Sequence, residues 1–164
     1  MQLPKRKAGK YTDDDNDPHM SQQKYDALEK KLQKLIAQKP TLADEVSRLA
    51  ELGDFSENVE YQAAKQKLRT TLNMITKINA QLNHAIIINN TTHNIIHIGS
   101  TVYFLLDSEE KIYTILGSSE ANPDKHIISH SSPLGIALLG HKCADVFDIQ
   151  LGDKIRRIEI QHIA

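Results

Sequence analysis

"LGDFSENVEY", residues 52–61, sets a glycine and five polar or charged residues between two stretches whose apolar positions recur every three and four residues. Before it run Tyr25, Leu28, Leu32, Leu35, Leu42, Val46 and Leu49, with Lys39 in one expected apolar place; after it run Tyr61, Ala64, Leu68, Thr71, Ile75, Ile78, Leu82 and Ala85. Such a rhythm is a helix with one apolar stripe, and two of them joined by a short turn form an antiparallel coiled-coil hairpin. Pro40 removes a backbone donor inside the first helix and predicts a kink or local break near residues 38–41. At about 1.5 Å per residue, roughly 30 residues make a rod on the order of 45 Å long, so the turn lies far from the rod's base.

Outward from the hairpin the composition changes twice. Residues 1–19 hold four bases, then four aspartates, with Pro4 and Pro18 and almost nothing apolar. They bury too little surface to offset the entropy of ordering and are expected to form a disordered tail, with Met20 marking the start of the folded part. The hairpin is assigned to residues 20–88, with an acidic tip at 53–58. In "IIINNTTHNIIHI", residues 86–98, the Asn and Thr clusters break the helical pattern, which places a linker at 89–98. From Gly99 the segments are short and β-rich: "STVYFLL", "KIYTIL", "HIISHS", "DVFDIQ" and "IRRIEIQHI". "SSPLGIALLG" (131–140) has a serine cap, proline near the first helical position and a closing glycine, the punctuation of one short helix. The expected fold class is α+β: the coiled-coil hairpin plus a small antiparallel sheet packed on one helix at 99–164.

Charge and composition bound the function. The net charge is only -1, but residues 44–60 carry Asp44, Glu45, Glu51, Asp54, Glu57 and Glu60 against Arg48 alone, while residues 61–86 carry Lys65, Lys67, Arg69 and Lys77 and no acid. An acidic tip is repelled by phosphate backbones, and a chain with no Trp and three Phe has little surface for stacking bases, which argues against independent nucleic-acid binding. A single cysteine, Cys143, rules out an internal disulfide framework and reads as an inert small residue. The basic start is followed by "YTDDDNDP" rather than an apolar segment, and no apolar run approaches the roughly 20 residues that span a bilayer. A cytoplasmic protein with no membrane association is expected.

Asp54 and Glu57 admit two readings from spacing alone. D-x-x-E before a helix is close to a capping box, and acids favour a helix N-terminus. Two carboxylates three residues apart across a turn also suit Mg²⁺, which takes oxygen ligands and retains several waters. His93 and His97 have the i, i+4 spacing of a zinc pair but lie among helix breakers and have no nearby third ligand.

"GDFSENVEYQAAK" (53–65) resembles the tip signature of the bacterial Gre transcript-cleavage factors (the GreA/GreB elongation factors), close to G-D-x-x-E-N-x-[ED]-Y. "SSPLGIALLGHKCAD" (131–145) resembles that family's second segment, SSP-x-x-x-ALLG-x-x-x-x-D. Both motifs occur in the family's order, and the resemblance covers roughly residues 20–164. It implies a coiled coil that enters the secondary channel of RNA polymerase and an FKBP-like C-terminal domain, without isomerase activity, that docks at the channel rim. It implies that Asp54 and Glu57 help hold a second Mg²⁺ and its water at the polymerase's own active site, where the 3′ end of a backtracked RNA is cut. The chain is then an accessory factor and not itself an enzyme, acting as a monomer, with no cofactor bound stably on its own. Asn58, Glu60 and Tyr61 would support the tip, Arg48 and Lys65 would form a basic patch guiding the RNA, and Ser131, Ser132 and Pro133 would meet the polymerase. Each has a plainer reading: a core tyrosine, solvated charges and a helix N-terminus. Two positions depart from the family pattern, Ala50 where a base is often found and Ala144 where glycine is usual before Asp145. A non-cleaving channel regulator of the same fold is the first alternative, a chaperone or prolyl isomerase the second. Product length is left open, since "QKPTLADEV" and "GDFSEN" look partly GreB-like, "YQAAK" and "SSP" GreA-like.

Overall fold

A computed structural model of the chain describes residues 17–51, 59–89 and 94–164, which form two compact units. The first unit, Gln23–Ala85, is the helical hairpin. Helix α1 spans Gln22–Ala50 and helix α2 spans Val59–Asn83. Their most buried residues are Leu32, Leu42 and Leu49 on α1 and Ala64, Thr71 and Ile78 on α2. The α2 set recurs every seven residues, as does the pair Leu42 and Leu49, which is the heptad seam expected. Pro40 does not break α1, which runs unbroken through it. Residues 36–41 are all exposed, so water can reach the carbonyl of Ile36 that proline leaves without a donor.

The second unit joins residues 17–22 to Ile86–Ala164. Strand β1 (His19–Met20) pairs in parallel with β2 (Ile86–Ile87). The remaining strands are β3 (Thr101–Leu106), β4 (Glu109–Leu116), β5 (Ile127–Ser129), β6 (Val146–Leu151) and β7 (Lys154–Ile163), forming one sheet in the order β5-β4-β3-β7-β6. Helix α3 (Pro133–Leu138) carries the fully buried Leu138 into the core. The other core residues are Ile96, Val102, Phe104, Ile115, Ile149, Ile158 and Ile160.

The boundaries differ from the sequence expectation in three places. Asp17, Pro18 and His19, assigned to the tail, are bound to the second unit: Pro18 and Met20 accept hydrogen bonds from the N–H groups of Ile86 (2.7 Å) and Ile88 (2.9 Å). Residues 1–16 lie outside the described residues. Ile86 and Ile87, assigned to the hairpin, supply the partner strand for that contact. Ile96, assigned to the linker, is 1% exposed and exchanges backbone hydrogen bonds with His141 and Gly140, so the domain begins before Gly99. The sheet is also not wholly antiparallel, because β5 pairs in parallel with β4. Two short 3₁₀ turns, Ser118–Glu120 and Pro123–Lys125, return the chain to run alongside the strand it has just left.

Two turns show how local chemistry fixes register. Asp107 and Ser108, with φ of 51° and 73°, form the two-residue connection of β3 to β4, the backbone that matches strand twist. Asp107 accepts hydrogen bonds from the Arg157 N–H (2.9 Å) and the Arg156 guanidinium (2.6 Å), which hold its carboxyl below the ordinary carboxylate range. At the second turn Ala144 has φ of 70°, so the position where the family pattern has glycine adopts the left-handed conformation despite its Cβ. Its N–H reaches the Ile160 carbonyl at 2.8 Å, and Asp145 accepts from the Lys142 N–H at 2.8 Å. Among the described residues no helix is long and apolar enough to cross a membrane.

Replacing Ala144 with glycine relieves left-handed strain and is expected to stabilise the protein by about 0.5–1 kcal/mol, read as a higher urea midpoint with unchanged m-value. A lowered Asp107 pKa contributes stability that is present above the ordinary carboxylate pKa and lost as pH falls through the lowered value. Urea unfolding across pH should therefore show Asp107→Asn less stable than wild type near neutrality and equal to it in strong acid. A gap independent of pH would refute the ionic assignment.

Candidate functional site

The hairpin leaves eight residues between the last residue of α1, Ala50, and the first of α2, Val59. Asp54, Glu57 and Asn58 belong to that connection and lie outside the described residues, as does His93. Its two shoulders are described. On α1, Leu49 is 2% exposed while Arg48 is exposed, and the helical hydrogen bonding continues through the Glu51 N–H to the Ser47 carbonyl at 3.2 Å. On α2, Glu60 is exposed, Tyr61 is half-buried and Ala64 is buried. The Lys65 ammonium stands 5.8 Å from the centroid of the Tyr61 ring, a cation–π contact one helical turn long. The described buried residues nearest the connection are Leu49 on α1 and Ala64 on α2, while Arg48, Glu60 and Lys65 remain exposed.

The second motif is built as a helix start. Ser132 has extended backbone (φ -69°, ψ 154°), accepts a hydrogen bond from the Gly135 N–H at 3.0 Å and donates its own proton to the Ser129 carbonyl at 2.7 Å. Pro133 occupies the first helical turn. A Cβ on Gly135 would lie 2.1 Å from the Ser129 carbonyl oxygen, which reserves that position for glycine. Ser131 and Pro133 are exposed. The hydroxyls of Ser118, Ser129 and Ser131 lie 2.7–3.0 Å apart and tie this loop to the end of β4. Capping thus accounts for Ser132, while Ser131 and Pro133 present a fixed outer surface.

A third group escaped the sequence reading. The Asp17 carboxylate, with a side chain 9% exposed, sits between the rings of His19 (Nδ1 at 3.0 Å) and His130 (Nε2 at 2.8 Å). It also accepts from the N–H groups of Ser118 (2.6 Å) and His19 (3.0 Å). Burial pushes this carboxyl's pKa up, but these hydrogen bonds together outweigh it and hold it well below the carboxylate range. Nearby, Glu120 accepts from both the N–H (2.7 Å) and the hydroxyl (2.5 Å) of Ser21. The only signals in the sequence were "DPH" and "SHSS", two short strings 113 residues apart. His97, the described member of the pair with i, i+4 spacing, has its Nδ1 2.8 Å from the Ser100 hydroxyl.

Residues 19–87 match the family model "Transcription elongation factor, N-terminal" and residues 91–164 match "Transcription elongation factor, GreA/GreB, C-term". The chain belongs to the GreA/GreB transcription elongation factor family. It is similar to transcription elongation factor GreA of Nautilia profundicola, 38% identical over 149 residues that cover 88% of this chain and 92% of that protein. Against GreA of Clostridioides difficile it is 36% identical over 149 residues, covering 88% and 94%. Among solved structures it is similar to GreA factor homolog 1 of Thermus thermophilus, 25% identical, covering 85% of this chain and 94% of that one, with a TM-score of 0.39.

In this GreA/GreB chain, Ser132→Ala removes the cap of α3 and should cost about 1 kcal/mol, seen as a lower thermal midpoint. Ser132→Asp, which can still cap, should restore most of it.

Proposed function

We propose that this protein is an elongation factor that inserts its hairpin into the secondary channel of RNA polymerase and stimulates hydrolysis of backtracked RNA by the polymerase. The observation that carries this reading is the pairing of family membership with two carboxylates, Asp54 and Glu57, in the connection between two helices of 29 and 25 residues. A helix of that length reaches about 40 Å at 1.5 Å per residue, enough to deliver acids to a centre that a globular protein cannot enter.

The donor set fits Mg²⁺: both groups are carboxylates, and this ion needs only one or two from a protein while other ligands come from its surroundings. When bound, Mg²⁺ supplies activation of the attacking water and charge neutralisation in phosphodiester hydrolysis. Asp54 and Glu57 add negative charge that draws the ion to the tip; alone they are too few to hold it tightly. Asn58, Glu60 and Tyr61 support the tip, with Tyr61 seated on the α2 stripe. Arg48 and Lys65, exposed on the two shoulders, suit the phosphates of the RNA 3′ end. Ser131, Ser132 and Pro133 form the surface that meets the polymerase. Catalysis is completed within the partner, so the chain is an accessory factor, and it works as a cytoplasmic monomer.

The test uses stalled, backtracked complexes of the cognate polymerase with labelled RNA and Mg²⁺, comparing wild type with Asp54→Asn plus Glu57→Gln. Wild type should shorten the RNA, and the double variant should bind the polymerase equally well but cut about 100-fold more slowly or less. Binding without cleavage by both proteins would instead make the acids helix caps and the protein a non-cleaving regulator of the same channel.

A further inference from the structure

The cluster at Asp17, His19 and His130 plays no part in the proposed activity. We infer that these three side chains form a binding site for one divalent transition-metal ion of the zinc type. Each offers one ligand atom, and all three atoms lie within 4.8 Å of one another. Two imidazoles and one carboxylate are a donor set that zinc accepts while keeping a position for water. Nitrogen donors set the site apart from the oxygen-only sites that magnesium and calcium prefer. Around a tetrahedral ion with bonds of about 2.0–2.1 Å, neighbouring ligand atoms stand roughly 3.3 Å apart. His19 Nδ1 lies 3.0 Å from Asp17 Oδ1 and His130 Nε2 lies 2.8 Å from Asp17 Oδ2, both short of that value, so the rings would turn outward to admit an ion.

The backbone holds the three groups in place independently of any ion. His19 is fixed by the pairing of β1 with β2. Its carbonyl oxygen packs against Gly117 so closely that a Cβ there would lie 1.9 Å away. Asp17 is oriented by the Ser118 N–H, an outer hydrogen bond of the kind that aims metal-binding carboxylates. His130 is anchored by its own N–H, 2.9 Å from the Leu116 carbonyl. The ordering that metal binding usually demands has thus been met by folding. The rings keep 32% (His19) and 22% (His130) of their surface, which leaves a route for an ion.

Without metal, the same three groups are held together by the hydrogen bonds between the Asp17 carboxylate and the two rings. The ion would therefore clamp residues 17–20 to the loop that begins at His130 and continues into Ser131–Pro133. This inference does not depend on cleavage activity.

The experiment titrates Zn²⁺ into the full-length, EDTA-stripped protein at neutral pH, with calorimetry and imidazole NMR, and repeats it with His130→Gln and His19→Gln. Glutamine keeps a donor for Asp17, so both variants should fold, checked by circular dichroism. The expected result is one ion per chain, shifts at His19 and His130 at one equivalent before those of the other six histidines, and affinity at least tenfold weaker in each variant. Co²⁺ should give the visible absorption of a tetrahedral site in wild type only. Equal zinc uptake by the variants, or earlier shifts at any of the other six histidines, would overturn the assignment, as would no binding at all; the cluster would then be a hydrogen-bonded triad.

Discussion

Register along β3 governs the second unit. Val102 and Phe104 are completely buried, and both neighbours of β3 are aligned to them: Tyr113 and Lys111 on β4, Ile163 and Ile160 on β7. A slip of one residue would turn Tyr103 and Leu105 inward and expose the core set. The pairing with β7 contains one irregularity that protects this arrangement. Between Tyr103 and Phe104 the partner count shifts by one, so Gln161 is left over. Strict alternation from Ile158 and Ile160 would bring His162 to the core face; the bulge brings Ile163 there instead. The Gln161 carbonyl accepts the Cys143 thiol proton at 2.9 Å, and the N–H of Ala144 bonds to Ile160. The left-handed turn at Ala144 therefore sits against the point where β7 changes phase.

The hairpin depends on a thinner margin. Its buried positions are spaced widely, one of them is Thr71, and Ile36, Leu72 and Met74 remain exposed. A two-helix seam buries little apolar surface per residue, and its stability comes from the repeat rather than from any one contact.

Much of this was legible beforehand, for identifiable reasons. The helices declared themselves by heptad spacing, and "SSPLG" announced α3 because capping chemistry is local. The β-rich segments were found in order since each is bounded by turn residues. The parallel β4–β5 pairing was hidden because it is set by the path of the 3₁₀ turns, which no residue pattern marks. Ile96 was hidden among Asn and Thr, where one buried isoleucine cannot outweigh polar neighbours. The largest omission was the cluster at Asp17. Besides His19 two residues on, its partners are the Ser118 N–H and the His130 ring, both over 100 positions away, so hydrophobicity, the quantity used to judge residues 1–19, was the wrong measure. As for the candidate site, the tip acids were read from motif alone, and the described shoulders add the seating of Tyr61 and Lys65.

The placement of Asp17 bears on where the folded part begins. Met20 precedes the whole helical pattern and, judged by periodicity, would mark that point. A chain begun there would retain α1, α2 and every core residue. It would lack the carbonyl of His19 that Gly117 exists to admit, and the carboxylate that the Ser118 N–H and the His130 ring both address. Gly117 would then be an unexplained gap, and His130 would lose its hydrogen-bond partner. Residues 17–19, upstream of the first apolar stripe, are thus part of the folded second unit.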